Sequence, residues 1–256
     1  MQREQRLVFG EVACSYDDVR AGYRPEIAER IFRYAGGLCP VVEVGAGTGK
    51  ATAMFLAAGA AVTCVEPDPA MARVLRAAFG DRVEVHLCGF EDWTPPVGGV
   101  PLVGSAQAFH WVDPSVRWWR AHDALAPGGT LALFGHWYGF ADETLEEQIN
   151  IVYGEIAPEL LDDPGARRGM PEEDRFHVEM AGSGLFGEVT STLVESVVPY
   201  PTARYLTLLS TFSSHRMLAA ERRGRLHDGI GAVVDRAGGV VAVHLATLLT
   251  LGRRLG

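Results

Sequence analysis

The chain has 256 residues, 48% of them hydrophobic, which is enough to bury a substantial core in one domain, with or without an embedded cap. A formal charge of -9 and a pI near 5.4 argue against broad contact with nucleic-acid phosphates or anionic membranes. No apolar run reaches the roughly 18 residues that span a bilayer, and "MQREQRLVFGEV" lacks the apolar core of a secretory signal, so a soluble, cytoplasmic protein is expected.

Cys14, Cys39, Cys64 and Cys88 form no CxxC pair and have no histidine at ligand spacing, which predicts reduced, mostly buried thiols and no metal site. "EIAERIFRYAGG", residues 26–37, places Ile27, Ile31 and Tyr34 at helical spacing and stops in two glycines. "VVEV" (41–44) is a short β-branched strand, and "KATAMFLAAG" reads as a helix ending at Gly59. A strand over "AVTCVEPD", a helix over "PAMARVLRAAFG" and a strand over "RVEVHLC" follow. The alternation continues through "VPLVGSAQAF", the helix-like "PSVRWWRAHDALA" and "GGTLALFG". Strands alternating with helices of this length imply right-handed βαβ units and a parallel sheet covered on both faces.

From about Tyr138 to Gly184 the rhythm breaks. "ADETLEEQINIVYGEIAPELL" is amphipathic and acidic, and "DDPGARRGMPEEDRF" has the turn residues of an exposed loop. Residues 138–184 are expected to form an inserted cap or lid over the active site, with a plain surface excursion as the alternative for the loop. "FGEVTSTLVESVVPYP" restores a strand, residues 202–239 read as helices, and "VVAVHLATLLTLGRRL" as a final strand or helix. The arginines of "AAERRGRL" and "GRRLG" read as solvated faces. The whole, 1–256, is expected to be a single domain.

The loop in "VVEVGAGTGKAT", Val41 to Thr52, admits three ligands in principle. A P-loop needs G-x-x-x-x-G-K-[ST], and here Val44 stands at the leading glycine and Ala51 at the hydroxyl. A dinucleotide fingerprint needs a third glycine or alanine where Lys50 stands. What is present is E-x-G-x-G-x-G: Glu43, Gly45, Gly47 and Gly49. Alternate glycines let the backbone press against a ligand, and Glu66, ending the second strand, is placed to accept both hydroxyls of a ribose. An adenosine-like nucleoside without a triphosphate fits best.

At these motifs the chain resembles the class I S-adenosylmethionine-dependent methyltransferases, in particular a bacterial small-molecule, type 11-like branch. The resemblance implies an α/β, Rossmann-like, doubly wound and mostly parallel seven-stranded sheet with helices on both faces and an inserted helical cap. It implies S-adenosylmethionine as cofactor. "VVEVGAGTG" would hold the methionine part through Glu43, Gly45, Ala46, Gly47 and Gly49. "VTCVEPDPAM" would place Glu66 on the ribose and Pro67, Asp68 and Met71 near ribose or adenine. In "LCGFEDW" many relatives carry an aspartate where Gly89 stands, so the bond to the adenine amine either comes from Glu91 or is lacking, and Phe90 offers its amide. Ser105, Ala106 and Gln107 of "VGSAQAFHWV" would line the donor site, with Trp111 beyond them, and "ALAPGGTLAL" resembles the turn before strand five. The "YxxxRxxYRP"-like stretch of Tyr16, Arg20, Tyr23, Arg24 and Pro25 supplies an arginine for the donor's carboxylate and tyrosines over its chain.

Methyl transfer needs alignment and desolvation, and a base only when the nucleophile holds a proton. His110, after the fourth strand, is the first candidate base. His136, Tyr138 and His215 are further catalytic candidates, each with a packing role as the alternative. Of the tryptophans, Trp118 and Trp119 are expected in the core and Trp111 and Trp137 at the rim. The expected partner is a small, apolar or aromatic metabolite, with no nucleic acid, membrane or metal, in a monomer or homodimer. A tRNA or protein methyltransferase, a binder of the donor that transfers nothing, and a nicotinamide dehydrogenase are the alternatives.

Overall fold

The computed structural model describes residues 19–161 and 174–256. Helix α1 (Pro25–Ala35) opens on Pro25, whose missing N–H costs a helix nothing at its first turn, and buries Ile27, Ala28, Ile31 and Phe32. Then β1 (Val41–Val44), α2 (Lys50–Ala57), β2 (Val62–Val65), α3 (Pro69–Phe79) and β3 (Val83–His86) alternate as expected. Next come β4 (Val100–Ala106), α4 (Arg117–Ala124) and β5 (Leu125–Phe140). The second half holds α5 (Glu143–Ile156), α6 (Arg175–Gly182), β6 (Phe186–Pro201), α7 (Thr202–Ser210), α8 (Ser213–Met217), α9 (Ala220–Arg236) and β7 (Val240–Arg254).

The seven strands form one sheet in the order β3-β2-β1-β4-β5-β7-β6. β1 to β5 run parallel, and β7 lies antiparallel between β5 and β6. The residues at the sequence's end that read as strand or helix are therefore strand. The period of two along β5 splits its side chains between the sheet's two faces. Ala132 and Phe134 join Ile27, Ile31 and Phe55 on one side; Leu131 and Leu133 join Phe109, Ala121 and Met180 on the other. A third core forms where β5 and β7 outrun the parallel strands: Tyr138, Leu145, Ile149, Tyr153, Leu208, Ile230 and Val243 pack together there. No helix among the described residues is long and apolar enough to cross a membrane.

Three expectations need correction. Tyr138 to Phe140 belong to β5, paired with Val243 to Leu245, so the break in rhythm begins after the strand and not at Tyr138. Helix α6 does not only face the cavity described below: Phe176 lines it, but Met180 is buried under β6 and β7 and Arg117 is ion-paired to Glu179, so α6 also covers a sheet face. Helix α5 contributes Tyr153 to the wall of that cavity, and residues 162–173 lie outside the described residues. The terminal arginines are not a solvated face. Arg253 donates to the carbonyls of Tyr34 and Gly128 and to Glu188, and Arg254 to that of Leu125, which ties β7 to the turn that starts β5. Arg222 of α9 likewise clamps Glu159 through two nitrogens.

The segment before α1 is held by Tyr200, 1% exposed, whose hydroxyl donates to the Val19 carbonyl at 3.0 Å. Tyr200→Phe leaves that buried carbonyl without its partner, and a loss of about 1–2 kcal/mol in urea unfolding is expected.

Candidate active site

The carboxyl ends of β1, β2, β4 and β5 open into one cavity of about 500 Å³, roofed by α5, α7 and the start of α8. This is where open α/β sheets present their strand ends and loops to ligands.

The glycine loop is shaped by contact on one side and by space on the other. A Cβ at Gly45 would collide with Ala108, whereas one at Gly47, at φ 58, would meet nothing within 4 Å. Gly47 therefore turns a bare backbone toward the cavity. Its amide donates to Glu66 Oε2 at 2.7 Å, and the Asp68 amide donates to Glu66 Oε1 at 2.8 Å. One carboxylate thus fixes the loop after β1 against the loop after β2. Burial raises the Glu66 carboxyl above its ordinary range, and the two amides pull it back. Asp68 caps α3 with Oδ1, while its buried Oδ2 has no hydrogen-bond partner among the described residues. A buried acceptor oxygen beside Glu66 has room for a hydrogen-bond donor from outside the chain.

Glu43 is 1% exposed and accepts from the Thr52 hydroxyl at 2.5 Å. Burial pushes it up to about 8; the Thr52 bond opposes this and the nearby Glu66 adds to it. Gly49 does not line the cavity, which corrects its expected cofactor role: a Cβ there would strike Phe79, so Gly49 packs α2 on α3. Lys50 opens α2 as expected and lines the cavity as well.

Beyond β3, a Cβ at Gly89 would stand 2.8 Å from Glu91 Oε2, so the Glu91 carboxylate occupies the space an aspartate there would enter. Glu91 Oε1 also accepts from the Asp113 amide, which holds it in place. Phe90 stacks on Trp93 at 6.2 Å between centroids, backing this edge.

After β4 the backbone turns sharply at Gln107, which has φ 53 without being glycine. Strain of this kind persists only where the surroundings enforce it. The Gln107 amide donates to the Phe134 carbonyl and its side-chain Nε2 to the His136 carbonyl at 2.7 Å, so one residue continues the β4 edge for β5. Gly135 makes room, since a Cβ there would meet Gln107 Cγ at 2.9 Å. Ser105 lines the cavity but gives its hydroxyl to the Val44 carbonyl, bracing β4 on β1.

All four candidate histidine and tyrosine positions reach the cavity wall, in different states. His110 is exposed to the cavity beside Trp111, and the protein around it, with the charges of Arg117 and Arg175, holds its imidazolium down to about 4. His136 is 7% exposed, stacked on Tyr23 at 4.3 Å and bonded through Nδ1 to Thr247; burial lowers it to about 4 as well. Tyr138 is buried edge-on to Phe212. His215 is 2% exposed and bonded to Tyr153 and His227.

Arg20 lines the cavity with its guanidinium 4.5 Å from the Phe212 ring centroid and 5.4 Å from that of Tyr138, and Nε donates to Thr211. Tyr16 lies outside the described residues. Ala46, Pro67, Met71, Ala106 and Trp111 all line the cavity, as does Trp137. Trp119 is 45% exposed and Trp118 half-buried against Phe109 and Phe186, so the expectation of two core tryptophans holds only in part. Sequence reading missed Tyr153, Tyr205, Leu209, Phe212 and Leu248 as cavity residues. Their signal was helical or strand periodicity alone, which marks burial without saying what is buried against it.

A family model described as a methyltransferase domain matches residues 41–129. An uncharacterized methyltransferase of Mycobacterium tuberculosis is 37% identical over 133 residues, covering 52% of this chain and 53% of that protein. Another, from Bacillus licheniformis, is 36% identical over 118 residues, 43% of this chain and 55% of its own length. The chain thus spans about half the length of the curated relatives it matches. Among solved structures, a candidate type II methyltransferase from Anaeromyxobacter dehalogenans is similar at TM-score 0.63 and 22% identity, over 92% of this chain and 98% of that one. The phosphoethanolamine N-methyltransferase 2 of Haemonchus contortus, solved with S-adenosyl-L-methionine, is similar at TM-score 0.55 and 13% identity, over 96% of this chain and 57% of that one.

Glu43 makes stability depend on pH with a definite sign. Its folded value lies above the ordinary 4.5, so its contribution is present below about 4.5 and is lost as pH rises toward about 8. Glu43→Gln, neutral at every pH, is expected to flatten that slope in denaturant unfolding followed across the window.

Proposed function

We propose that the chain, whose fold is the class I, Rossmann-like one and whose residues 41–129 match a methyltransferase-domain model, transfers a methyl group from S-adenosylmethionine to a small, apolar or aromatic acceptor. The observation that carries the reading is the Glu66 carboxylate, bonded to Gly47 and Asp68 beside the orphan Asp68 Oδ2. Two buried carboxylates at the end of β2 suit the two hydroxyls of a ribose, and the open face of Gly47 leaves the backbone bare for close approach. Glu91 would take the adenine amine in place of an aspartate at Gly89, and Arg20 the donor's carboxylate. When bound, the donor supplies an activated methyl on a sulfonium. The chain's own residues align the acceptor, exclude water and handle its proton.

Alignment comes from rigid walls: Gln107 and His136 are locked by hydrogen bonds, and Tyr138, Tyr153 and Phe212 are packed in the third core. His110 and His136 are neutral at neutral pH and accept protons only weakly. Membership of the cytoplasm and action on a free metabolite belong to this same reading; the acidic chain supports them by disfavouring nucleic acid.

Calorimetry with S-adenosylhomocysteine and NAD in parallel tests the donor, and binding of NAD alone overturns it. The adenine edge has its own test. Glu91→Ala is expected to weaken S-adenosylhomocysteine about ten-fold, the scale of one charge-assisted hydrogen bond, and adding Gly89→Asp to that variant is expected to restore it. Unchanged affinity in Glu91→Ala contradicts the assignment.

A further inference from the structure

One chain of hydrogen bonds leads away from the cavity and is not used by the donor site. Tyr153 of α5 and His215 of α8 both line the cavity, and the Tyr153 hydroxyl is 3.0 Å from His215 Nε2. The other ring nitrogen, His215 Nδ1, is 3.2 Å from Nε2 of His227 on α9. Tyr153 and His215 are each 2% exposed, whereas His227 is half-buried. The chain therefore runs from a dry wall to the edge of the protein across three helices.

Hydrogen-bond logic gives these contacts two settings. In one, the Tyr153 hydroxyl donates to His215 Nε2 and His215 Nδ1–H donates to His227 Nε2. In the other, each proton has moved one place and every donor has become an acceptor. Passing from the first setting to the second moves one proton from the cavity side to the surface side without any side chain leaving its place. Burial and the Arg223 charge keep His227 below its usual value, Asp228 opposing them, so its ring is neutral and able to accept at neutral pH.

The walls around Tyr153 also restrict what it serves. Tyr138, Tyr205, Leu209 and Phe212 are uncharged, and the cation over the Phe212 and Tyr138 rings, Arg20, is the group assigned above to the donor's carboxylate; elsewhere in the cavity the Asp174 carboxylate is already met by Ser191, Thr250 and the His177 amide. Resting on the methyl-transfer reading above, we propose that Tyr153, His215 and His227 form a proton outlet and that the acceptor is an uncharged aromatic ring bearing a hydroxyl. The acceptor's O–H bond breaks with its electron pair left on the oxygen, that oxygen forms the new bond to the methyl carbon, and the donor's bond from that carbon to sulfur breaks with its pair left on sulfur. Its proton passes to the Tyr153 oxygen, the Tyr153 proton to His215 Nε2, and the His215 Nδ1 proton to His227 Nε2. His227 then releases a proton to solvent from Nδ1, and each bond broken is matched by one formed.

The test uses 2-naphthol and naphthalene as probes of the same shape with and without the hydroxyl. With S-adenosylhomocysteine present, 2-naphthol is expected to bind at least ten-fold more tightly than naphthalene, and Tyr153→Phe to erase the difference. With S-adenosylmethionine, His227→Ala is expected to slow methylation of 2-naphthol about ten-fold at unchanged KM and melting temperature, and added imidazole to restore it. Imidazole rescue distinguishes proton transfer from a packing role. Equal binding of the two probes, binding of neither, full turnover in His227→Ala, or a loss that imidazole does not repair overturns the proposal. Because S-adenosylhomocysteine binding is measured separately, failure here leaves the donor reading standing, and failure there is recognised as its own.

Discussion

The ladder between β5 and β7 is the constraint on which the rest of the molecule depends. β4 stops at Ala106, but β5 and β7 stay paired from Thr130 with Arg253 to Phe140 with Val243. A pair of strands outrunning its parallel neighbours would expose one open edge. The Gln107 side chain covers the start of that edge, and the Tyr23 ring stacks on His136 behind it. The projecting arm then gives α5, α7 and α9 a surface on which to build the third core. The cavity exists because that core stands over the strand ends instead of beside them.

Two kinds of burial divide the work inside the cavity. At the β1 and β2 ends, carboxylates are buried and tied to backbone amides, which fixes polar groups at the cost of raised pKa values for Glu43 and Glu66. Around α5 and α7, aromatic rings and leucines make an apolar chamber whose polar groups bond to one another. Under the proposed function, one end would hold the donor's nucleoside and the other the acceptor. The Glu66 bridge ties the first end together, accepting from Gly47 of one loop and Asp68 of the other.

The parallel half of the sheet was legible because its signals are local. "VVEV" followed by alternate glycines, then Glu66 after "VTCV", announces strand, tight turn and acid within 26 residues, Val41 to Glu66. Gly49 was misread because a packing glycine and a ligand-facing glycine look alike in sequence; only the position of Phe79 separates them. The second half resisted reading because its elements are defined by distant partners. The end of β5 at Phe140 is set by Val243, and the burial of α6 by the Arg117–Glu179 pair. His215 stood out as a residue type, yet its partners Tyr153 and His227 lie 62 and 12 positions away, beyond any local pattern.

The central claim is that the Glu66 bridge marks the ribose end of a methyl-donor site. A crystal structure of the protein with S-adenosylhomocysteine tests it most directly. The account predicts ribose hydroxyls on the Glu66 and Asp68 carboxylates, with the sulfur facing the chamber of Tyr138 and Tyr153. A nucleoside bound elsewhere, or bound in this cavity with its ribose away from Glu66, would contradict it.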